Sequence, residues 1–126
     1  MIAMQALRRV LVVDDEQLIA NTLALILNRS GFEARAAYSA EDAVEKAREI
    51  SPDVVISDVI MDGMTGVEAA IRIAEMVPHC RILLFSGQAA TAALLENAEA
   101  HGHHFELLVK PVHPRLLIQR LSEMQP

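Results

Sequence analysis

Tryptophan is absent from this chain, tyrosine occurs once and phenylalanine three times. A core without large rings must be aliphatic, and with 52% of the 126 residues hydrophobic, Leu, Ile, Val and Ala can supply it. A chain of this length buries roughly two-thirds of its unfolded surface. One domain over 1–126, with its folded part at about 8–124, is therefore expected. Cysteine occurs once, as Cys80, which excludes an internal disulfide. It precedes the apolar run RILLF and reads as a small core or boundary residue, not a reactive thiol. Positive charge is scarce: 11 Lys and Arg against 17 Asp and Glu give a net charge of −6, with no basic cluster to offset it. Direct nucleic-acid binding by this domain is not expected, because such binding rests on neutralising phosphates. No apolar run approaches the roughly 20 residues of a membrane-spanning helix, and the apolar part of the opening MIAMQALRR is too short for a signal peptide. These absences predict a soluble, cytoplasmic protein with no membrane contact.

What is present is a strand–helix alternation repeated five times, the pattern of an α/β fold with a parallel sheet covered on both faces. Strands are expected at about 9–13, 33–37, 54–57, 82–85 and 105–109. The first helix, about 16–30, carries the stripe Ile19, Leu23, Ile26, Leu27, spaced to face a core, and Gly31 follows as its C-terminal cap. The second opens at Ser39, with Asp42 three residues on in a near capping box, and Ser51-Pro52 stops it after Ile50. Thr65 and Glu68 repeat that signal for a third helix, which runs to about Val77 before Pro78. The fourth, about 89–101, reads AATAALLENAEA. Alanine favours helix but buries little area, so with only Leu94 and Leu95 as anchors this helix is expected to be the least firmly packed. The last begins near Pro114, a good first-turn residue, and buries Leu117, Leu121 and Met124. No linker, repeat or low-complexity segment interrupts the pattern, and no output domain is expected within the 126 residues.

Polar residues follow four of the predicted strands directly. VLVVDD ends in Asp14 and Asp15, DVVISD in Asp58, LLFS in Ser86 and ELLVKP in Lys110-Pro111. In an open parallel sheet, ligands bind beyond the carboxyl ends of the strands. Clustered carboxylates repel one another and favour a hard divalent cation with oxygen ligands. A lysine and a hydroxyl beside that cation suit a phosphoryl group.

Together, Asp14, Asp15, Asp58, Ser86 and Lys110-Pro111 resemble the receiver domain of two-component response regulators, over about 8–124 of the chain. Gly66, eight residues after Asp58, and Met61, three after it, fit the same pattern. The resemblance implies a flavodoxin-like (βα)5 doubly wound fold with strand order 2-1-3-4-5. It implies that Asp58 is the phosphoacceptor, taking a phosphoryl group from the phosphohistidine of a sensor histidine kinase or a phosphotransfer protein. It implies Mg²⁺ held by Asp15, Asp58 and the backbone carbonyl of Ile60, with Asp14 holding the metal's water shell. Lys110 is implied to pair with one phosphoryl oxygen and Ser86 to donate to another. Lys110-Pro111 resembles the family's cis peptide. The implied protein is a signalling module with weak self-catalysed phosphoryl transfer rather than an enzyme, switching an output domain beyond Pro126 or a separate partner.

Three positions depart from the family pattern. Asp62 stands where proline is usual, Ile60 is apolar where many members are polar and, with Gln88, flanks the attacking water, and Leu107 replaces an aromatic switch residue. Phe105 lies two residues before Leu107, on the same strand face. Two other functions fit parts of the pattern. A Mg²⁺-dependent phosphohydrolase with an aspartyl nucleophile needs a substrate pocket and usually a cap insertion, and no loop here is long enough for one. A receiver-like module that is never phosphorylated is expected to lose Asp15, Asp58 or Lys110, and all are present. His101, His103 and His104 cluster without a carboxylate or cysteine to complete a metal site and read as a solvated turn; His113 reads as the residue that leads into the last helix. Leu18 and Leu25 lie off the buried stripe of the first helix, the helix on which the resemblance places kinase docking.

Overall fold

The computed structural model describes residues 9–59, 65–86, 96, 99, 102, 105–109 and 113–124, apart from the side chains of Ser86 and Val109. Its strands are β1 (Arg9–Val13), β2 (Glu33–Ala37), β3 (Val54–Asp58), β4 (Arg81–Ser86) and β5 (Glu106–Val109). Its helices are α1 (Gln17–Arg29), α2 (Ala40–Ile50), α3 (Gly66–Met76) and α4 (Pro114–Glu123). Of the helix expected at about 89–101, Glu96 and Glu99 are helical, and the remainder lies outside the described residues. His101, His103 and His104 lie outside them too.

All five strands are parallel, in the order β2-β1-β3-β4-β5. The expected doubly wound, flavodoxin-like order is therefore the observed one. The central strands read VLVV and VVIS, buried without interruption, as strands covered on both faces must be. Side chains alternate across the sheet and so feed two cores. Leu11, Val13, Val55 and Leu84 join Ala43 and Ala47 of α2 and Val67, Ala70 and Ile73 of α3. Val10, Val12, Val54, Ile56 and Leu83 join Ala20, Ala24 and Leu27 of α1 and Leu117 and Leu121 of α4. Met124 is buried in that second core as expected. Each Val, Leu, Ile or Met among them contributes about 1.5–3 kcal/mol by leaving water, and each Ala less.

Helix ends follow the expected chemistry. Ser39 Oγ accepts from Asp42 N–H at 2.9 Å, while the Asp42 carboxylate accepts from Tyr38 N–H at 3.2 Å. Thr65 and Glu68 form a full capping box. At the end of α1, Phe32 N–H donates to Leu27 O at 3.1 Å and Gly31 N–H to Asn28 O at 3.3 Å. These are the paired bonds that close a helix through a left-handed residue, and Gly31 has φ +100°. Ser51 ends α2 with φ 46°.

The buried stripe of α1 differs from the expected one. Ile19 is 44% exposed, Leu23 and Ile26 are half-buried, and Ala20, Ala24 and Leu27 face the core. Counting large apolar residues finds Leu27 but rotates the predicted face away from Ala20 and Ala24, the two buried alanines. Among the described residues, no helix is long and apolar enough to cross a membrane.

Candidate functional site

The site is assembled where the strands stop. At the end of β1, Asp14 N–H donates to Ala37 O of β2 at 3.1 Å, so the ladder runs one residue past Val13. The Asp14 side chain is only 5% exposed, and its Oδ1 accepts from Glu16 N–H at 2.9 Å. Glu16 precedes α1 and makes no side-chain cap of its own. The carboxylate of Asp14 thus closes the turn into α1, and Asp15 is exposed beside it.

Asp58 is the last residue of β3, half-buried and opposite Phe85. Val13 pairs with Ser57, so Asp14 and Asp58 are the next residues along two adjacent strands. The chain beyond Asp58 is tightly held. Val59 is buried and its N–H donates to Phe85 O at 3.0 Å. Gly66 N–H donates to Val59 O at 2.8 Å. A Cβ on Gly66 would collide with the Asp58 carbonyl oxygen and lie 3.0 Å from its carbon and from Val59 Cα. Glycine at the first turn of α3 is therefore a requirement of contact, since only hydrogen fits between the helix and the Asp58 main chain.

Ser86 ends β4 opposite Val109, the last residue of β5. Its side chain, together with Ile60, Met61, Asp62, Gln88, Lys110 and Pro111, lies outside the described residues. The oxygen-only character of Asp14, Asp15 and Asp58 matches what a hard cation takes. Among the described residues, however, no three His, Cys, Asp or Glu side chains converge into a metal-holding group. Leu107 is 38% exposed and pairs with Leu84, and Phe105 packs half-buried against the core beneath α2 and α3. Leu18 and Leu25 are exposed on α1, at 79% and 51%. Burial, reinforced by the charge of Asp53, pushes the Cys80 thiol up to about 12, in keeping with an unreactive boundary cysteine.

Ser57 is a residue that the strand pattern alone did not single out. It is 3% exposed, and its Oγ donates to Asp58 O at 2.9 Å. The only signal in the sequence is a hydroxyl interrupting the aliphatic run just before Asp58.

A parallel sheet in this order places the chain among the flavodoxin-like α/β folds, with carboxylates at the ends of β1 and β3, and sequence comparison bears on which family it belongs to. The family model described as response regulator receiver domain matches residues 10–122, and the chain belongs to that family. It is 32% identical over 118 residues to the chemotaxis protein CheY of Thermotoga maritima, covering 93% of this chain and 97% of that one. It is 28% identical over 114 residues to the DNA-binding response regulator MtrA of Mycobacterium tuberculosis, covering 90% of this chain and 49% of that protein, so it spans about half of MtrA. A crystal structure of a Burkholderia pseudomallei response regulator with a phosphorylated aspartic acid, calcium ion and citrate superposes with a TM-score of 0.79 at 26% identity, covering 92% of this chain and 67% of that one. This is a receiver domain of the two-component type, a signalling fold.

Proposed function

We propose that the chain is a phosphoacceptor receiver domain whose acceptor is Asp58. The observation that carries this reading is the restraint on Asp58: it ends a central strand beside Asp14, with α3 packed against its carbonyl through Gly66. A carboxylate rooted in a held main chain is presented from a fixed point, and positioning is one of the two main sources of catalysis in phosphoryl transfer. The phosphorylated aspartate in the Burkholderia relative supports the same chemistry here.

A carboxylate oxygen of Asp58 attacks the phosphorus of a phosphohistidine. The P–O bond forms as the P–N bond breaks, and the imidazole leaves with the electron pair and takes up a proton. Asp15, Asp58 and the Ile60 carbonyl would hold Mg²⁺, and Asp14 its water shell. When bound, that ion neutralises charge on the phosphoryl oxygens. Lys110 pairs with one of those oxygens and Ser86 donates to another. The donor is a sensor histidine kinase or phosphotransfer protein, and residues 1–126 act as one cytoplasmic domain. The phosphorylated state switches contact with an output domain or a separate partner.

Incubation with acetyl phosphate and Mg²⁺ should add one phosphate, detected by intact mass. Asp58→Ala should take none, and chelation of Mg²⁺ should suppress labelling of the wild type. Undiminished labelling of Asp58→Ala would remove Asp58 from this role.

A further inference from the structure

We propose that Ser57 is a positioning residue for phosphoryl transfer, its buried hydroxyl clamping the peptide unit that roots Asp58. The proposal rests on the reading of Asp58 as acceptor.

Among the described residues, Asp14 and Ser57 are the only buried polar or charged side chains. Asp14 has a visible task in closing the turn into α1. Ser57 sits among aliphatic residues: Val55 shares its face, and its sheet partners are Val13 and Leu84. Nothing in the packing calls for oxygen there. Burying a hydroxyl is unfavourable unless it is hydrogen-bonded, and serine is a weak strand former beside the valines and isoleucine that precede it.

The hydroxyl's acceptor explains its presence. Ser57 Oγ donates to the carbonyl of Asp58 at 2.9 Å. The other end of that same peptide unit, Val59 N–H, donates to Phe85 O at 3.0 Å. The peptide is thus held at its oxygen by β3 itself and at its nitrogen by β4, while Gly66 closes against the carbonyl from α3. Its plane sets ψ of Asp58 and the direction in which the chain leaves toward residue 60. Ser57 and Asp58 point to opposite faces of the sheet, and Ser57 is sealed from solvent. It therefore acts on the carboxylate through the main chain, without touching the phosphoryl group.

The test uses the full chain as Ser57→Ala and Ser57→Thr. Initial rates of labelling by acetyl phosphate with Mg²⁺ are compared with melting temperature and, in the absence of Mg²⁺ and donor, with amide exchange at Val59 and Gly66. Ser57→Ala should label about fivefold more slowly, the rate equivalent of one lost hydrogen bond. Its melting temperature should fall by no more than the loss of one hydrogen bond accounts for, and Val59 and Gly66 should exchange faster relative to the rest of the chain. Ser57→Thr keeps the donor and should restore both rate and protection. If its extra methyl unfolds the chain, exchange at Val59 in Ser57→Ala decides. A wild-type labelling rate in Ser57→Ala overturns the proposal, as does a slower rate with unchanged exchange at Val59 and Gly66. Absence of labelling in the wild-type chain would instead overturn the reading of Asp58.

Discussion

A single methyl group at Gly66 measures how closely α3 approaches the site. The collision it would make is with backbone, at Asp58 O and Val59 Cα, and neither can swing aside as a side-chain tip would. Gly66→Ala should therefore behave as overpacking rather than as a gain in helix propensity, costing about 1–3 kcal/mol. Urea unfolding monitored by circular dichroism checks this; a variant as stable as the wild type would mean that α3 can retreat from Asp58 without loss. At this scale, legibility divided by chemistry. Asp14, Asp15 and Asp58 could be read from the chain because a charged residue directly after an aliphatic run must sit where the strand leaves the core. Ser57 could not, because an inward-facing serine in a strand looks like any tolerated small residue until its acceptor is known. The task of Gly66 was equally hidden: it follows from a contact between two elements, and residue type alone does not encode distance.

Helix caps were the most legible elements. Thr65 and Glu68 form the capping box their spacing predicts, at 3.1 and 3.2 Å, because capping is a local interaction fixed by four consecutive residues. Thr65→Ala should cost about 1 kcal/mol, seen as a lower melting temperature. No change would mean that Gly66 and Val59 hold the start of α3 unaided. The face of α1 was harder to read for the opposite reason. Which side of a helix is buried depends on how close its neighbours come, and Ala20 and Ala24 admit a closer approach than Ile19 would. Leu107 belongs to the same scale. It is partly exposed on the edge strand β5, while Phe105 packs half-buried against the core under α2 and α3.

Over the whole molecule, individual helices meet the sheet with different materials. Under α4 the helix contributes Leu117 and Leu121, while α1 contributes Ala20 and Ala24 beside Leu27. Under α2, the fully buried helix positions are Ala40, Ala43 and Ala47, against Ala37 at the end of β2. A leucine can be cut back, leaving a cavity that costs roughly 2–5 kcal/mol, whereas an alanine has almost nothing to lose and can only be enlarged. Ala43→Leu should accordingly destabilise by about 1–3 kcal/mol through overpacking, measured by urea unfolding, and Leu121→Ala by cavity formation. A neutral Ala43→Leu would reveal slack beneath α2.

That difference gives the chain an uneven tolerance to inherited change. Around α2, harm comes almost wholly from gain of volume; around α4, from its loss. A random codon change at an alanine almost always enlarges the residue, so the α2 side is exposed to damage in nearly every direction of drift. A leucine has near-isosteric neighbours in Met and Ile. Lineages diverging from this sequence should therefore vary their hydrophobic residues freely beneath α4 and hold to small ones beneath α2 and at Ala20 and Ala24 of α1.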